Sequence, residues 1–390
     1  MRIGLLTGEY PPMQGGVGDY TRELGRALIA LGHEVVVITH TGSGAQAGEG
    51  LAVETPVTGW GWRAPGRVAG LAVARGLDVV NLQYQAAAYG MGLPIHTTTL
   101  QWRLGRRPFA SVVTYHDLRV PYLFPKASAL RREAMLALGR HADAVIVTNH
   151  EDESEWRAAA PQSSVYSVPI GSNIVPCLPA NYSREAWRAR KGLAPDDLVI
   201  GYFGFLTAQK GGRTLLEALH RLAEQGRPAH LLVVGGLASA SDPGNNAYVS
   251  ELLQQLLEAE ARKRVHLTGF LSPEQVSAGL AACDAVALPY RDGASLRRGS
   301  LMAALAHGCA IVSTDGPGMT AGLRAAIAAV PPDDPAALAA EIAALADDAD
   351  RRAALGRRAA DLAKEFSWDR IAARTAEVCG EAVVRRGGGG

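Results

Sequence analysis

The chain has 390 residues, 48% of them hydrophobic and 20% charged, with a net charge of +1. Those values belong to ordinary globular proteins, leave room for two domains, and give no case for a nucleic-acid partner. Four cysteines, Cys177, Cys283, Cys309 and Cys379, stand far apart with no CxxC or Cys/His cluster. This argues against a structural zinc and a disulfide framework, and it makes a reducing, cytoplasmic setting the expectation. The apolar run in "MRIGLLTGEYPPMQGG" is too short for a secretory signal, and no run approaches the ~18 residues of a membrane span.

In chain order, Arg2–Thr7 reads as a short buried strand. A glycine-rich loop follows to Gly18, then an amphipathic helix from about Tyr20 to Leu31, stopped by Gly32. "HEVVVITH", "DVVNLQ", "ASVVTYHD" and "DAVIVTN" are the next strands. Short continuous apolar strands alternating with helices predict a parallel sheet covered on both faces. Pro169 and Pro176 break the pattern in "VYSVPIGSNIVP", which places the interdomain linker near 170–180. The same programme then restarts. Strands are expected in "DLVIGYFGFL", "HLLVVGG", "VHLTGF", "DAVALPY" and "CAIVST", with helices at Gly212–Glu224, Val249–Ala261 and Pro273–Ala282. Residues 333–386 read as helical, and the glycines at 387–390 as a disordered end. The fold class is therefore α/β, with two Rossmann-like doubly wound parallel-sheet domains expected to face each other across a cleft. Ligands of such sheets bind beyond the carboxyl ends of the strands.

Four strand-to-helix loops carry the candidate chemistry. "GGVGDY", residues 15–20, lets backbone N–H groups approach a ligand at a helix start. Its spacing is not GxGxxG, and no acidic residue ends the strand "VVVITH", which disfavours a dinucleotide oxidoreductase. A tight turn is the plainer reading. "TYHD" puts His116 and Asp117 at a strand's carboxyl end, where a histidine serves a sugar hydroxyl or phosphate, or simply the structure. "GFLTAQKGG" puts Lys210 just before a helix as a point charge for a phosphate, or as a solvated lysine. "RDGASLRRGSLMAALAHG", residues 291–308, ends in a helix from Ser300 that Gly308 is placed to stop. The carboxylates of "DDAD", residues 347–350, read as helix capping rather than a metal site, and no metal is expected. Residues 100–140 hold eight basic residues (Arg103, Arg106, Arg107, Arg119, Lys126, Arg131, Arg132, Arg140) against Asp117 and Glu133. An anionic acceptor, the cytoplasmic face of a membrane, or plain solvent could meet them.

With these loops in place the sequence resembles the retaining glycosyltransferases of the GT-B fold, specifically glycosyltransferase family 4. The resemblance runs through "GGVGDYTRELGRALIALGHEV", "YHD", "GYFGFLTAQKGGRTLLEAL", "LLVVGG", "VHLTGFLSPEQVSAGLAACDAVALPY", "AALAHGCAIVSTDGPG" and the closing "FSWDRIA". It implies an acceptor domain over 1–172, a donor domain over 173–365, and a helix over 366–386 that crosses back to the first domain. It implies a nucleoside-diphosphate sugar as donor substrate, no cofactor, and an acceptor that is a glycan, a lipid-linked group or a small molecule. Gly204, Lys210 and Gly211 match the family's phosphate loop, and His116 matches the histidine at the donor sugar. Gly15 and Gly16 match the loop that closes over the diphosphate. Gly269, Phe270 and Leu271 match the base-contacting turn, with Gly235 and Gly236 beside them.

The chain departs from the family in two places. Phe205 stands where the phosphate loop usually has arginine. The family's two glutamates, separated by seven residues, fall on Ser295 and Ala303 when anchored at Gly308. Anchored at the Asp-Gly pair they fall on Asp292 and Ser300. The stretch from Ser295 through Leu296, Arg297, Arg298, Gly299 and Ser300 to Leu301 is assigned to the donor sugar and diphosphate. Cations at a helix start are unfavourable unless an anion binds beside them, so Arg297 or Arg298 is expected to replace the charge missing at 205. A non-catalytic sugar-nucleotide-binding protein and a GT-B epimerase remain as alternatives.

Overall fold

A computed structural model describes the chain except for residues 14, 49, 119–127, 205, 236–247, 249–250, 253, 255–262 and 389–390. Phe205, Gly236, Arg119, Lys126 and most of the helix expected at 249–261 thus lie outside the described residues. The chain forms two compact units, Met1–Asn173 with Phe366–Gly390, and Ile174–Glu365.

The first unit holds seven strands: β1 (Arg2–Thr7), β2 (Glu34–His40), β3 (Ala52–Val57), β4 (Val79–Tyr84), β5 (Ala110–Tyr115), β6 (Ala144–Val147) and β7 (Val165–Ser167). Their order is β3-β2-β1-β4-β5-β6-β7, and every pairing is parallel. Successive side chains alternate between two cores, as the strand period requires. Ile3, Leu5, Val112 and Ile146 enter one. Leu6, Val113, Val145 and Val147 enter the other. The helix Trp368–Gly388 belongs to this unit and seals the first core with Ile371, Val378, Cys379 and Ala382. It runs two residues past Arg386, into the glycines expected to be disordered.

The second unit holds β8 (Leu198–Phe203), β9 (Ala229–Val234), β10 (Val265–Leu267), β11 (Ala285–Leu288), β12 (Ile311–Thr314) and β13 (Ala328–Val330), in parallel order β10-β9-β8-β11-β12-β13. Arg188 is buried behind this sheet and donates to the carbonyls of Ala282, Pro195 and Asp197 and to the Asp284 carboxylate, so its charge is fully engaged. Strand order reverses between β1 and β4 in the first sheet and between β8 and β11 in the second. The carboxyl ends at those points are where a doubly wound sheet opens a binding crevice.

Sequence and structure differ at several elements. β3, "AVETPV", carries a proline and a glutamate at a sheet edge, and β7 and β13 have three residues each; none gives a readable period. The first helix begins at Gly16, not near Tyr20, so the glycine loop is its first turn. Its N-terminal N–H groups are taken from within: the Glu9 carboxylate accepts from Val17 at 2.9 Å and Gly18 at 3.2 Å. No helix among the described residues is long and apolar enough to cross a membrane. Because Ile371 is buried against the first sheet, Ile371→Ala should cost about 2–5 kcal/mol, read as a lower urea midpoint of the first unit. An unchanged midpoint would mean that the last helix does not hold this core together.

Candidate functional site

In the second unit, β8 runs into Gly204, whose φ of +102° is in the left-handed region. A Cβ there would stand 3.1 Å from Lys210 Nζ and 3.6 Å from Ser300 Cβ. Glycine thus lets backbone, ammonium and hydroxyl converge at the carboxyl end of the strand. Lys210 ends the short turn Ala208–Lys210, and Gly211 (φ +70°) opens the helix Gly212–Glu224. A Cβ on Gly211 would fall 1.9 Å from the Pro289 carbonyl oxygen, and the Arg291 N–H donates to the Gln209 carbonyl at 2.9 Å. The 204–211 loop is therefore stitched to the segment that follows β11.

That segment supplies the other half of the cluster. Tyr290 is buried, and its hydroxyl lies 2.7 Å from Ser300 Oγ. The Arg298 guanidinium sits 4.5 Å from the centre of the Tyr290 ring and pairs with Asp292. Arg298 is the residue that precedes the helix Gly299–Ala306, and its side chain makes no capping bond. The helix ends as expected: Gly308 (φ +61°) donates to Leu305, and Cys309 donates to Ala304. Burial, reinforced by Arg298, pushes the Lys210 ammonium down from 10.5 to about 8.

Asp292 and Ser300 join the cluster through Arg298, Tyr290 and Gly204. Ala303 is buried a turn further into the helix, and Ser295 packs beneath Gly318, whose Cβ would stand 2.8 Å from it. Leu296 is partly buried, Arg297 donates its backbone N–H to Ser295 Oγ at 3.4 Å, Gly299 is exposed and Leu301 is buried. Gly235 (φ +109°) and Gly269 (φ +70°) bridge each other at the ends of β9 and β10. A Cβ on Gly235 would stand 3.8 Å from the Gly204 nitrogen. Three glycines therefore line the carboxyl ends of three adjacent strands, with Phe270 exposed and Leu271 partly buried beyond them.

In the first unit, His116 follows β5. Its Nε2 lies 3.0 Å from Gln83 Oε1 at the end of β4, which makes Nε2 the protonated nitrogen. Tyr20 meets the ring edge-on at 4.6 Å, and Trp368 meets Tyr20 at 5.1 Å. Burial pushes the imidazole down to about 4, so it is neutral at pH 7 and acts as a hydrogen-bonding group rather than a cation. Gly15 and Gly16 begin the helix whose N–H groups Glu9 holds. A Cβ on Gly15 would meet the Glu9 carboxylate at 2.2 Å, whereas Gly16 has open space. Asn173 Nδ2 donates to the Gly16 carbonyl at 3.1 Å.

Sequence reasoning missed Tyr290, Gln83 and Glu9. The signals were faint: an aromatic and an amide at strand ends, and an acid ahead of a glycine loop. The basic stretch is not one free face. Arg107 is buried on Asp143, Arg132 pairs with Glu155 and Arg140 with Glu133. In "DDAD", Asp348 caps the helix Ala349–Ala363 and Asp347 pairs with Arg227.

Residues 14–173 match Glycosyltransferase Family 4, and residues 197–348 match Glycosyl transferases group 1. The chain is 27% identical to a D-inositol 3-phosphate glycosyltransferase of Xylanimonas cellulosilytica, over 99% of this chain and 98% of that one. It is 24% identical to a GDP-mannose-dependent alpha-(1-6)-phosphatidylinositol monomannoside mannosyltransferase of Mycobacterium tuberculosis, over 96% and 97%. Among solved structures, sucrose-phosphate synthase from Thermosynechococcus elongatus and HepE of Anabaena in complex with UDP-glucose each superpose with a TM-score of 0.72 at 21% identity. Each covers 97% of this chain and 98% of the other. That likeness shows the fold, GT-B. With a glycosyltransferase family model matched on each unit and glycosyltransferases among its relatives along nearly its whole length, the chain is a glycosyltransferase of the GT-B fold.

Proposed function

We propose that this glycosyltransferase takes its sugar from a nucleoside diphosphate held by the second unit and passes it to a hydroxyl of an acceptor held by the first, with retention of anomeric configuration. The observation that carries the reading is the meeting of Lys210 Nζ, Ser300 and the Arg298 segment at Gly204. Transfer leaves a diphosphate, and the site must be complementary to that developing charge. Lys210, Arg298 and the start of the helix Gly299–Ala306 supply positive potential, the role a metal ion fills in other enzymes. Arg298, rather than Arg297, takes the part of the arginine missing at Phe205. It is the one held over Tyr290 and within the field of Lys210.

Gly269 to Leu271 meets the base, where Gly235 and Gly269 leave the backbone open. His116 offers a neutral ring to the donor sugar, and Gly15 and Gly16 close the loop beside it. Among the described residues no side chain is placed as a dedicated nucleophile. The departing β-phosphate oxygen takes the acceptor proton as the new glycosidic bond forms on the same face. The named activities of the relatives, transfer to an inositol phosphate and transfer from GDP-mannose, support a nucleotide-sugar donor and a hydroxyl acceptor here. Both chemistries suit a cytoplasmic setting.

A thermal-shift panel of UDP, GDP, ADP and their hexose conjugates tests the reading. A ligand at 100 times its Kd adds ~2.7 kcal/mol to native stability, so at least one nucleotide should raise the melting temperature. A flat response to all of them overturns the proposal. Charged hydrogen bonds contribute about 1.5–3 kcal/mol, so Arg298→Ala should weaken the preferred nucleotide roughly tenfold or more while Arg297→Ala changes it little. The reverse order, or no effect from either, sinks the Arg298 assignment. Lys210 is charged below about 8 and neutral above. Nucleotide affinity should therefore fall as pH rises through 8, and Lys210→Met should flatten that slope. A slope unchanged in Lys210→Met would remove the lysine from the diphosphate site.

A further inference from the structure

Tyr290 touches two members of the cluster at Gly204 at once, with none of its own surface exposed. Its carbonyl accepts from the Thr314 hydroxyl of β12 and from the Gly293 N–H, so the backbone is held from behind. Desolvation raises the phenol to about 12, so the hydroxyl keeps its proton at neutral pH and works as a hydrogen-bonding group.

The helix Gly299–Ala306 lacks the start that its neighbours have. Ser183, Ser272, Thr320, Asp334 and Asp348 each cap the helix that follows them in the second unit. Here Arg298 stands in that position and makes no capping bond. Tyr290 reaches the helix start from ten residues upstream. Its hydroxyl shares a hydrogen bond of 2.7 Å with Ser300 Oγ, and the Leu301 N–H stabilises the same phenol oxygen. An uncharged hydroxyl in this place leaves the positive potential of the helix start intact, whereas a carboxylate would cancel much of it.

The ring face has a second effect. The Arg298 guanidinium lies 4.5 Å from its centre, with Asp292 pairing from the side. Arginine has many rotamers to lose on binding, and a fixed platform removes part of that cost before the ligand arrives.

We propose that Tyr290 is a positioning residue for the donor: its hydroxyl fixes Ser300 and its ring face fixes the Arg298 guanidinium, so that both meet the diphosphate already in place. The proposal rests on the transferase reading and adds to it the residue that orders the diphosphate contacts.

Titration calorimetry of UDP, GDP and ADP on the whole chain tests it, using whichever nucleotide binds most tightly. Tyr290→Phe removes only the hydroxyl, and Ser300→Ala removes its partner. Each should weaken the nucleotide roughly three- to tenfold, and the two together no more than either alone. Tyr290→Leu removes the ring as well. Arg298→Ala should then change affinity little in the Tyr290→Leu background, while keeping its roughly tenfold effect in Tyr290→Phe. A tyrosine that only fills the core would lower the urea midpoint and leave these couplings at zero. Additive losses, or unchanged affinity in Tyr290→Phe, therefore overturn the proposal. If Tyr290→Leu does not fold, the Tyr290→Phe and Ser300→Ala cycle decides alone. Wild-type protein that binds none of the nucleotides overturns the transferase reading too, whereas wild-type binding with additive losses overturns the Tyr290 assignment only.

Discussion

Lys210 sits largely desolvated at the carboxyl edge of the second sheet, and that burial, with a smaller like-charge contribution from Arg298, is the constraint around which the cluster at Gly204 is arranged. Arg298 is compensated on one side by Asp292 and on another by the face of Tyr290. Among the described residues no carboxylate pairs with Lys210, and its proton is correspondingly loose. An anion placed between the two cations would offset both costs at once. The first unit is built the other way. Its glycine-rich helix start already holds the Glu9 carboxylate, which leaves little positive potential there. Two similar sheets with similar strand-to-helix loops thus differ in what occupies the first turn after the first strand.

The regular elements were largely legible. β1, the helix Gly212–Glu224 and the helix Pro273–Ala282 lie where apolar spacing and turn residues put them. The serine-proline start of the last is a full capping box, Ser272 with Gln275. Glycine misled at the first helix. Low helix propensity at Gly16 and Gly18 pointed to a loop, whereas Glu9, upstream and outside any local window, supplies the capping that overrides it. Net charge misled in the 100–140 stretch, because Asp143 and Glu155, the partners of Arg107 and Arg132, come from later in the chain.

The loops that meet at Gly204 were legible because strand, loop and helix recur in fixed order, which marks Gly204, Lys210 and Ser300 as neighbours of a strand end. The path of the turn between Asp292 and Ser300 could not be read. There the ion pair folds Arg298 back over Tyr290. Tyr290 itself looked like the last apolar residue of a strand. Its hydroxyl bond to Ser300 is a tertiary fact with no local signature.

The closing helix has a consequence for how the molecule is made. The second unit is one continuous segment, whereas the first is assembled from both ends of the sequence. During synthesis the second unit can be complete while the first still shows an uncovered core, with Leu24 and Leu28 of its first helix and Val37 and Val112 of its sheet, which later packs with Ile371, Val378 and Ala382. That core is the surface most exposed to wrong partners in the nascent chain. The order of maturation then reverses the order of translation, with the domain begun first being the one finished last.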